Sequence, residues 1–336
     1  MKILHVCDKQ INNRAYKEGY CIGEKGIEQE VICTMEGDPT FMYVFDEITI
    51  STPEMYLENI LESDADVILF HDRPEPSAKI VERLKKYNDK RPIVYECYDL
   101  WYYLGKKEDT FNQNEWYMLA ESDLVVHMGY LNQNRSHELY DYRTPEIIVP
   151  SLTPRFLIPE RAKHHIGGIV YEGGVSSHNT TDPNEVITRR FRDLHDAYWG
   201  FRNKGIYMDI YGAGHRAVDY PTMEGLFFNE LLHRLTQYDW GFLGNTKELS
   251  LLQVAGPCKI WEYSMAGLPI IAMNMDDVVD QTNKGGIIKC HSVDEAVEIM
   301  QSVDREALAK ESFETCRYLD DEIDVLIDAC QKLVGE

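Results

Sequence analysis

The chain of 336 residues lacks most of the features that mark a specialised class of protein. No apolar run approaches the ~18–20 residues that span a bilayer, and Met1-Lys2 leads straight into a strand-like segment, so neither a membrane helix nor a signal peptide is expected. There is no C-x-x-C pair. The eight cysteines stand singly at 7, 21, 33, 97, 258, 290, 316 and 330. Several lie in apolar runs such as "LHVC" and "VIC", where a reduced cysteine serves as a small buried hydrophobe. A disulfide framework or a zinc site is therefore not expected, and a cytoplasmic location is. A Lys/Arg-rich tract is also missing: 34 basic residues face 57 acidic ones, for a net charge of −23. Such a molecule is repelled by polyphosphates and anionic membranes except at a locally compensated site. That disfavours nucleic-acid and membrane-surface roles and leaves room for a small diphosphate site. Internal repeats, low-complexity segments and a G-x-G-x-x-G dinucleotide fingerprint are absent as well.

What is present is the composition of a packed globular chain, 44% hydrophobic and 11% aromatic, too long for one ordinary core. Short apolar runs alternate with amphipathic ones, the pattern of an α/β protein with parallel sheets. "KILHVC" (2–7), "EVIC" (30–33), "DVILF" (66–70), "IVYE" (93–96), "LVVH" (124–127) and "EIIVP" (146–150) predict strands, with helices over 12–26, 77–89 and 114–123. Pro154 and Pro159 within 151–165 break the pattern, and the segment reads as a linker. The alternation then restarts: strands in 167–174, 206–214, 238–244, 268–274 and 285–290, helices over roughly 183–203, 225–237 and 257–267. Helical segments fill 292–301, 303–318 and 320–335. The expectation is two doubly wound, Rossmann-like domains, 1–158 and 167–318, joined by a linker at 159–166. The last stretch, 319–336, is a helical tail. Open parallel sheets bind ligands at the carboxyl ends of their strands, and two facing sheets would form a cleft.

Several strand ends carry candidate chemistry. In "PCKIWEY", Pro257 suits a first helical turn, Lys259 adds positive charge for an anion, and Glu262 stands one turn on to accept hydrogen bonds from sugar hydroxyls. The same spacing is that of an ordinary i,i+3 surface pair, the plainer reading of the two residues alone. "YEGGVSSHN" (171–179) and "IYGAG" (210–214) are strand-then-glycine turns that let backbone approach a ligand, although each alone is also an everyday tight turn. "ILFHDRPEP" (68–76) puts His71, Asp72 and Arg73 just past a buried strand, as reacting groups or as a helix-capping loop. "YECYDLWYY" (95–103) places Glu96 and Asp99 among aromatics. The His164-His165 pair falls in the linker and is assigned no ligand.

Together these segments resemble a nucleotide-sugar glycosyltransferase of the GT-B fold, nearest to the retaining glycosyltransferase family 4 group. "MKILHVCD", "ADVILFHD", "IVYECYDL", "ESDLVVHM" and "EIIVPSLTP" resemble that group's first domain. "GIVYEGGVS", "MDIYGAG", "YDWGFLGN" and, most specifically, "PCKIWEYSMAGLPIIAMN" resemble its nucleotide domain. The resemblance implies that Lys259 contacts the donor diphosphate and that Glu262 binds the ribose. Tyr263, Ser264, the Gly173-Gly174 turn, Ser176, Tyr211 and Gly212 would lie nearby. It implies that His71 stands at the reaction centre and that Asp72, Arg73 and Asp99 lie on the acceptor side. The last helix would return to the first domain. No metal and no cofactor is implied beyond a UDP- or GDP-type sugar donor, with an unidentified hydroxyl acceptor as the second substrate. Three departures stand out. Val254 occupies the place of a sugar-facing glutamate, no Arg and Lys follow Gly174, and "DKQINNRAY" (8–16) replaces a glycine-rich loop. The implied reaction is metal-independent, retaining glycosyl transfer. A nucleotide-sugar epimerase on the same architecture and an inactive nucleotide-sugar-binding relative remain as alternatives.

Overall fold

The periodicities resolve into two all-parallel sheets in a computed structural model. It describes every residue except Pro53, Asp72, Asp99, 101–111, 176–192, 213–217, Asp219, 247–257 and Glu336. The first sheet holds β1 (Lys2–Val6), β2 (Glu28–Cys33), β3 (Glu47–Ile50), β4 (Val67–Phe70), β5 (Ile93–Cys97), β6 (Leu124–His127) and β7 (Glu146–Ile148), in the order 3-2-1-4-5-6-7. Its helices are α1 (Asn13–Glu24), α2 (Pro39–Met42), α3 (Tyr56–Glu62), α4 (Pro74–Lys86), α5 (Gln113–Glu121) and α6 (Tyr130–Leu139). The second sheet holds β8 (Ile169–Glu172), β9 (Met208–Tyr211), β10 (Trp240–Gly244), β11 (Ile270–Met273) and β12 (Ile287–Cys290), in the order 12-11-10-8-9. With it run α7 (His195–Asn203), α8 (Phe228–Leu235), α9 (Lys259–Met265), α10 (Asp276–Thr282), α11 (Val293–Ser302) and α12 (Arg305–Glu314); α13 (Asp324–Val334) ends the chain.

Strands β4, β6 and β8 are buried at every position, the signature of parallel strands covered on both faces. The helices add amphipathic stripes and local caps. Asn12 accepts from the Ala15 amide at the head of α1, and Pro74 opens α4 where its missing N–H costs nothing. The helix therefore begins three residues before the expected Ser77.

Two compact units result. One holds the described residues up to Arg155 together with those of the C-terminal segment from Tyr318; the other holds the described residues of Phe156–Arg317. The C-terminal segment is tied to the first unit by a Thr153–Tyr318 bridge, Arg155 on Asp321 and Lys25 on Asp324 at 2.7 Å. Each sheet reverses its strand order once, between β1 and β4 in the first and between β8 and β10 in the second. Crevices at such switch points, outside the carboxyl ends of the strands, are where open α/β sheets take their ligands. Among the described residues no helix is long and apolar enough to cross a membrane.

Candidate active site

The second sheet's switch point is built around Tyr263. Strands β8 and β10 pair only at Ile169–Trp240 and Val170–Gly241 before they diverge. The Tyr263 hydroxyl fills the gap, accepting from the Glu172 amide at 3.1 Å and donating to the Phe242 carbonyl at 3.1 Å. Its ring fits because Gly241 has no side chain; a Cβ there would lie 2.5 Å from Tyr263 Cγ. Burial pushes the phenol pKa well above its usual value, so the hydroxyl keeps its proton and its donor role. Tyr263→Phe leaves the Glu172 amide and the Phe242 carbonyl without that partner. It is expected to cost about 1–3 kcal/mol in denaturant unfolding.

Just beyond the gap, Gly173 turns the chain with φ +123, and its amide donates to the Tyr211 carbonyl at 3.0 Å. This turn lies directly on Lys259: a Cβ at Gly173 would stand 2.7 Å from Lys259 Nζ. The ammonium donates to the Tyr171 hydroxyl at 3.3 Å and lies 4.5 Å from the centre of that ring. Tyr171 in turn donates to the Gly174 carbonyl at 3.1 Å, closing the turn. Burial works against the Lys259 charge, but Tyr171, Cys258 and Glu172 outweigh it and hold its pKa above the ordinary lysine value. Among the described residues Lys259 has no carboxylate at ion-pair distance. Glu262, one turn along, is buried rather than a surface residue, so the i,i+3 surface pair is not formed. Gly212 packs against the same turn, where a Cβ would meet Val175 Cγ2 at 2.9 Å. Tyr211 contributes its backbone carbonyl; its side chain is buried, with the hydroxyl 3.1 Å from that of Tyr238. The Ser264 hydroxyl donates back to the Ile260 carbonyl at 2.5 Å.

Gly173, Gly174, Tyr211, Gly212, Lys259 and Tyr263 are thus brought together. Ser176, Val254 and Pro257 lie outside the described residues, as do Asp72 and Asp99 of the first unit. Tyr171 was missed from the sequence, although it immediately precedes the glycine turn and is the nearest partner of Lys259. Gly173→Ala would force a Cβ into the ammonium at a φ that L residues rarely adopt. The expected result is about 1–3 kcal/mol of lost stability together with a displaced Lys259, read by thermal unfolding and by loss of ligand binding at that lysine.

The first sheet's switch point holds a buried polar cluster. His71, after β4, has no exposed surface, and neither has His5 of β1. The Gln29 amide group donates to the Gly19 carbonyl at 2.8 Å, which turns its oxygen toward His5 Nε2 at 3.0 Å. His5 Nε2 must therefore be the protonated nitrogen. Burial, then His71, pushes the His5 pKa well below its usual value, leaving Nδ1 as an acceptor for His71 Nε2–H at 2.8 Å. The remaining proton of the chain is held between His71 Nδ1 and Glu96 Oε2, 2.5 Å apart. Arg14, in the first turn of α1, donates to Glu96 at 2.8 Å and to the Val149 carbonyl at 3.1 Å, and pairs with Glu18 at 2.9 Å. Burial raises the Glu96 carboxyl, but Arg14 and then His71 outweigh it and hold it below the ordinary range. For Glu18 burial prevails over Arg14, and the carboxyl lies well above that range.

Glu18, His71 and Glu96 bring ligand-type atoms within 4.8 Å of one another. The Arg14 guanidinium already supplies the positive charge on both carboxylates, so the set does not fit a divalent ion. What His71 offers the sheet edge is its carbonyl, which accepts from Asn12 Nδ2 at 3.0 Å and from the Tyr98 hydroxyl at 2.5 Å. Arg73 is exposed and paired with Asp8 at 2.5 Å. Arg14 and Glu18 carry no recognisable motif, and only the fold joins them to Glu96.

No family model and no curated protein sequence matches the chain. Solved structures do. HepE of Anabaena, determined in complex with UDP and glucose, superposes with a TM-score of 0.65 at 10% identity, covering 99% of this chain and 100% of that one. Sucrose-phosphate synthase of Thermosynechococcus elongatus gives 0.69 at 10% identity, with 99% of each chain covered. The chain has the GT-B fold. A UDP-N-acetylglucosamine 2-epimerase shares the architecture, with a TM-score of 0.60 at 8% identity over 100% of this chain and 97% of that one.

Proposed function

We propose that this protein is a glycosyltransferase that moves a sugar from a nucleoside diphosphate sugar, of UDP or GDP type, to an acceptor hydroxyl. The observation that carries this reading is the Lys259 ammonium held under the Gly173 turn at the switch point of the second sheet. A diphosphate leaving there develops negative charge as the glycosidic bond breaks, and a fixed cation with no carboxylate partner among the described residues is placed to receive it. Glu262, buried one turn along the helix, is the ribose acceptor. In this reading transfer is metal-independent and retaining, the departing phosphate taking the acceptor proton. His71 contributes by holding the turn after β4, through its carbonyl and the buried cluster behind it. The UDP and glucose bound to HepE support the choice of ligand class.

Titration of the full chain with UDP, GDP, ADP and TDP sugars, read as thermal stabilisation, tests the proposal, because a ligand of the native state raises apparent stability by mass action. Stabilisation by one nucleotide series and its loss in Lys259→Ala are expected; no stabilisation by any of them would overturn the reading. The architecture shared with an epimerase favours a second reading, isomerisation of the free nucleotide sugar. Conversion of the donor without any acceptor would identify it.

A further inference from the structure

A cavity of about 730 Å³ opens at the amino ends of the second sheet's strands, the edge opposite Lys259. Tyr238 and Leu268, which line it, stand just before β10 and β11, whereas Gly173 follows β8. Its other walls are the segment from Ile158 to His165, the end of α9 and one face of α12. The volume is that of a pocket for a small organic molecule.

Its chemistry is unusual for a chain of net charge −23. Arg161, Arg305 and Lys310 line it against the carboxylates of Glu306 and Glu314. Two of these cations are engaged: Arg305 lies 3.4 Å from Asp239, and Lys310 lies 3.7 Å from Glu314. Arg161 is not. Among the described residues it has neither a carboxylate at ion-pair distance nor a hydrogen-bond partner, and its Nη2 lies over Gly267, 3.4 Å from where a Cβ would be. Ile158 and Phe313, on two of the walls, leave apolar side chains 38% and 41% exposed. An unpaired guanidinium presents a planar fork of donors that matches a carboxylate or phosphate. The two apolar walls offer area to whatever carries that anion.

We propose that this cavity binds a small organic anion, one carboxylate or phosphomonoester on an apolar body. The anion sits on Arg161 and the body lies between Ile158 and Phe313. This site is separate from the Lys259 turn, and its test needs no nucleotide.

The probes are phenyl phosphate, phenylacetate, inorganic phosphate and benzyl alcohol, titrated calorimetrically into the full chain carrying Lys259→Met, so that the strand-end lysine cannot contribute. The expected result is a dissociation constant of roughly 1 mM or below for phenyl phosphate or phenylacetate, the range open to so small a ligand. Which of the two binds distinguishes phosphate from carboxylate. Arg161→Gln, an exposed change that leaves the melting temperature in place, should weaken that binding at least about tenfold. Phe313→Ser should weaken it several-fold. Absence of binding by both aromatic anions, equal binding by inorganic phosphate or benzyl alcohol, or affinity unchanged by Arg161→Gln would each overturn the proposal.

Discussion

Lys259→Ala is expected to lower sugar transfer by roughly 10²–10³-fold, the usual effect of removing one group that stabilises charge formed in the transition state. The reason is local. The ammonium is partly buried, has Tyr171 as its hydrogen-bond partner, and is pressed into place by a glycine turn that admits no side chain. Among the described residues no carboxylate holds that charge, which therefore faces an incoming anion directly. Glu262→Ala should behave differently, weakening nucleotide binding while the leaving-group contact survives. Steady-state kinetics with the donor that stabilises the protein, alongside calorimetry with the bare nucleotide, separate the two. If both variants kept full affinity and full rate, the site would lie elsewhere.

Glu96→Gln and Glu18→Gln should give unequal results although the two carboxylates share Arg14. At neutral pH Glu96 is the charge that balances Arg14 and takes the His71 hydrogen bond. Removing that charge strands a buried guanidinium, at a cost of about 3–5 kcal/mol. Burial raises the Glu18 pKa against the pull of Arg14, so its charged form gains less from the site, and an amide of the same shape replaces it at a smaller cost than at Glu96. The pH dependence follows from the same directions. Glu18 has a folded pKa above its unfolded value, so its folded state carries an extra proton. Its contribution is most favourable below the unfolded pKa and declines as pH rises toward the folded one. Glu96 has a depressed pKa, and its contribution is present above the unfolded value and lost as pH falls through the folded one. Denaturant unfolding across mildly acidic to neutral pH should therefore show a shallower decline with rising pH in Glu18→Gln than in the parent. Equal losses in the two variants would refute the unequal hold of the two carboxyl groups on Arg14.

Most of the strands can be located from apolar runs because a parallel strand covered on both faces has to be apolar at nearly every position. Two of the elements that escaped that reading lack the pattern for identifiable reasons. Strand β3 is a four-residue edge strand with no buried position. Helix α6 buries only Asn132 and Ser136, which hydrogen-bond to His127 at 2.8 Å and to Tyr142 at 2.6 Å. Its inward face is polar, so it leaves no hydrophobic stripe to find. The "PCKIWEY" helix was legible, but its Lys-Glu spacing was ambiguous between a surface pair and a site. Burial of Glu262 sets the surface pair aside, and the position of Gly173 over Lys259 is what the proposed site rests on.

The sequence by itself determined two parallel α/β units and the strand ends at which Lys259, the glycine turns and His71 fall, because periodicity and turn chemistry are local properties of the chain. Only the tertiary structure decided which of those ends meet. Tyr171 reaches Lys259 across 88 positions, and Arg14 reaches Glu96 across 82. It also decided their states: the same histidine or glutamate is a solvated group on a loop and a neutral or proton-sharing one in a core. Charge there is set by desolvation and by neighbours that no spacing along the chain can specify.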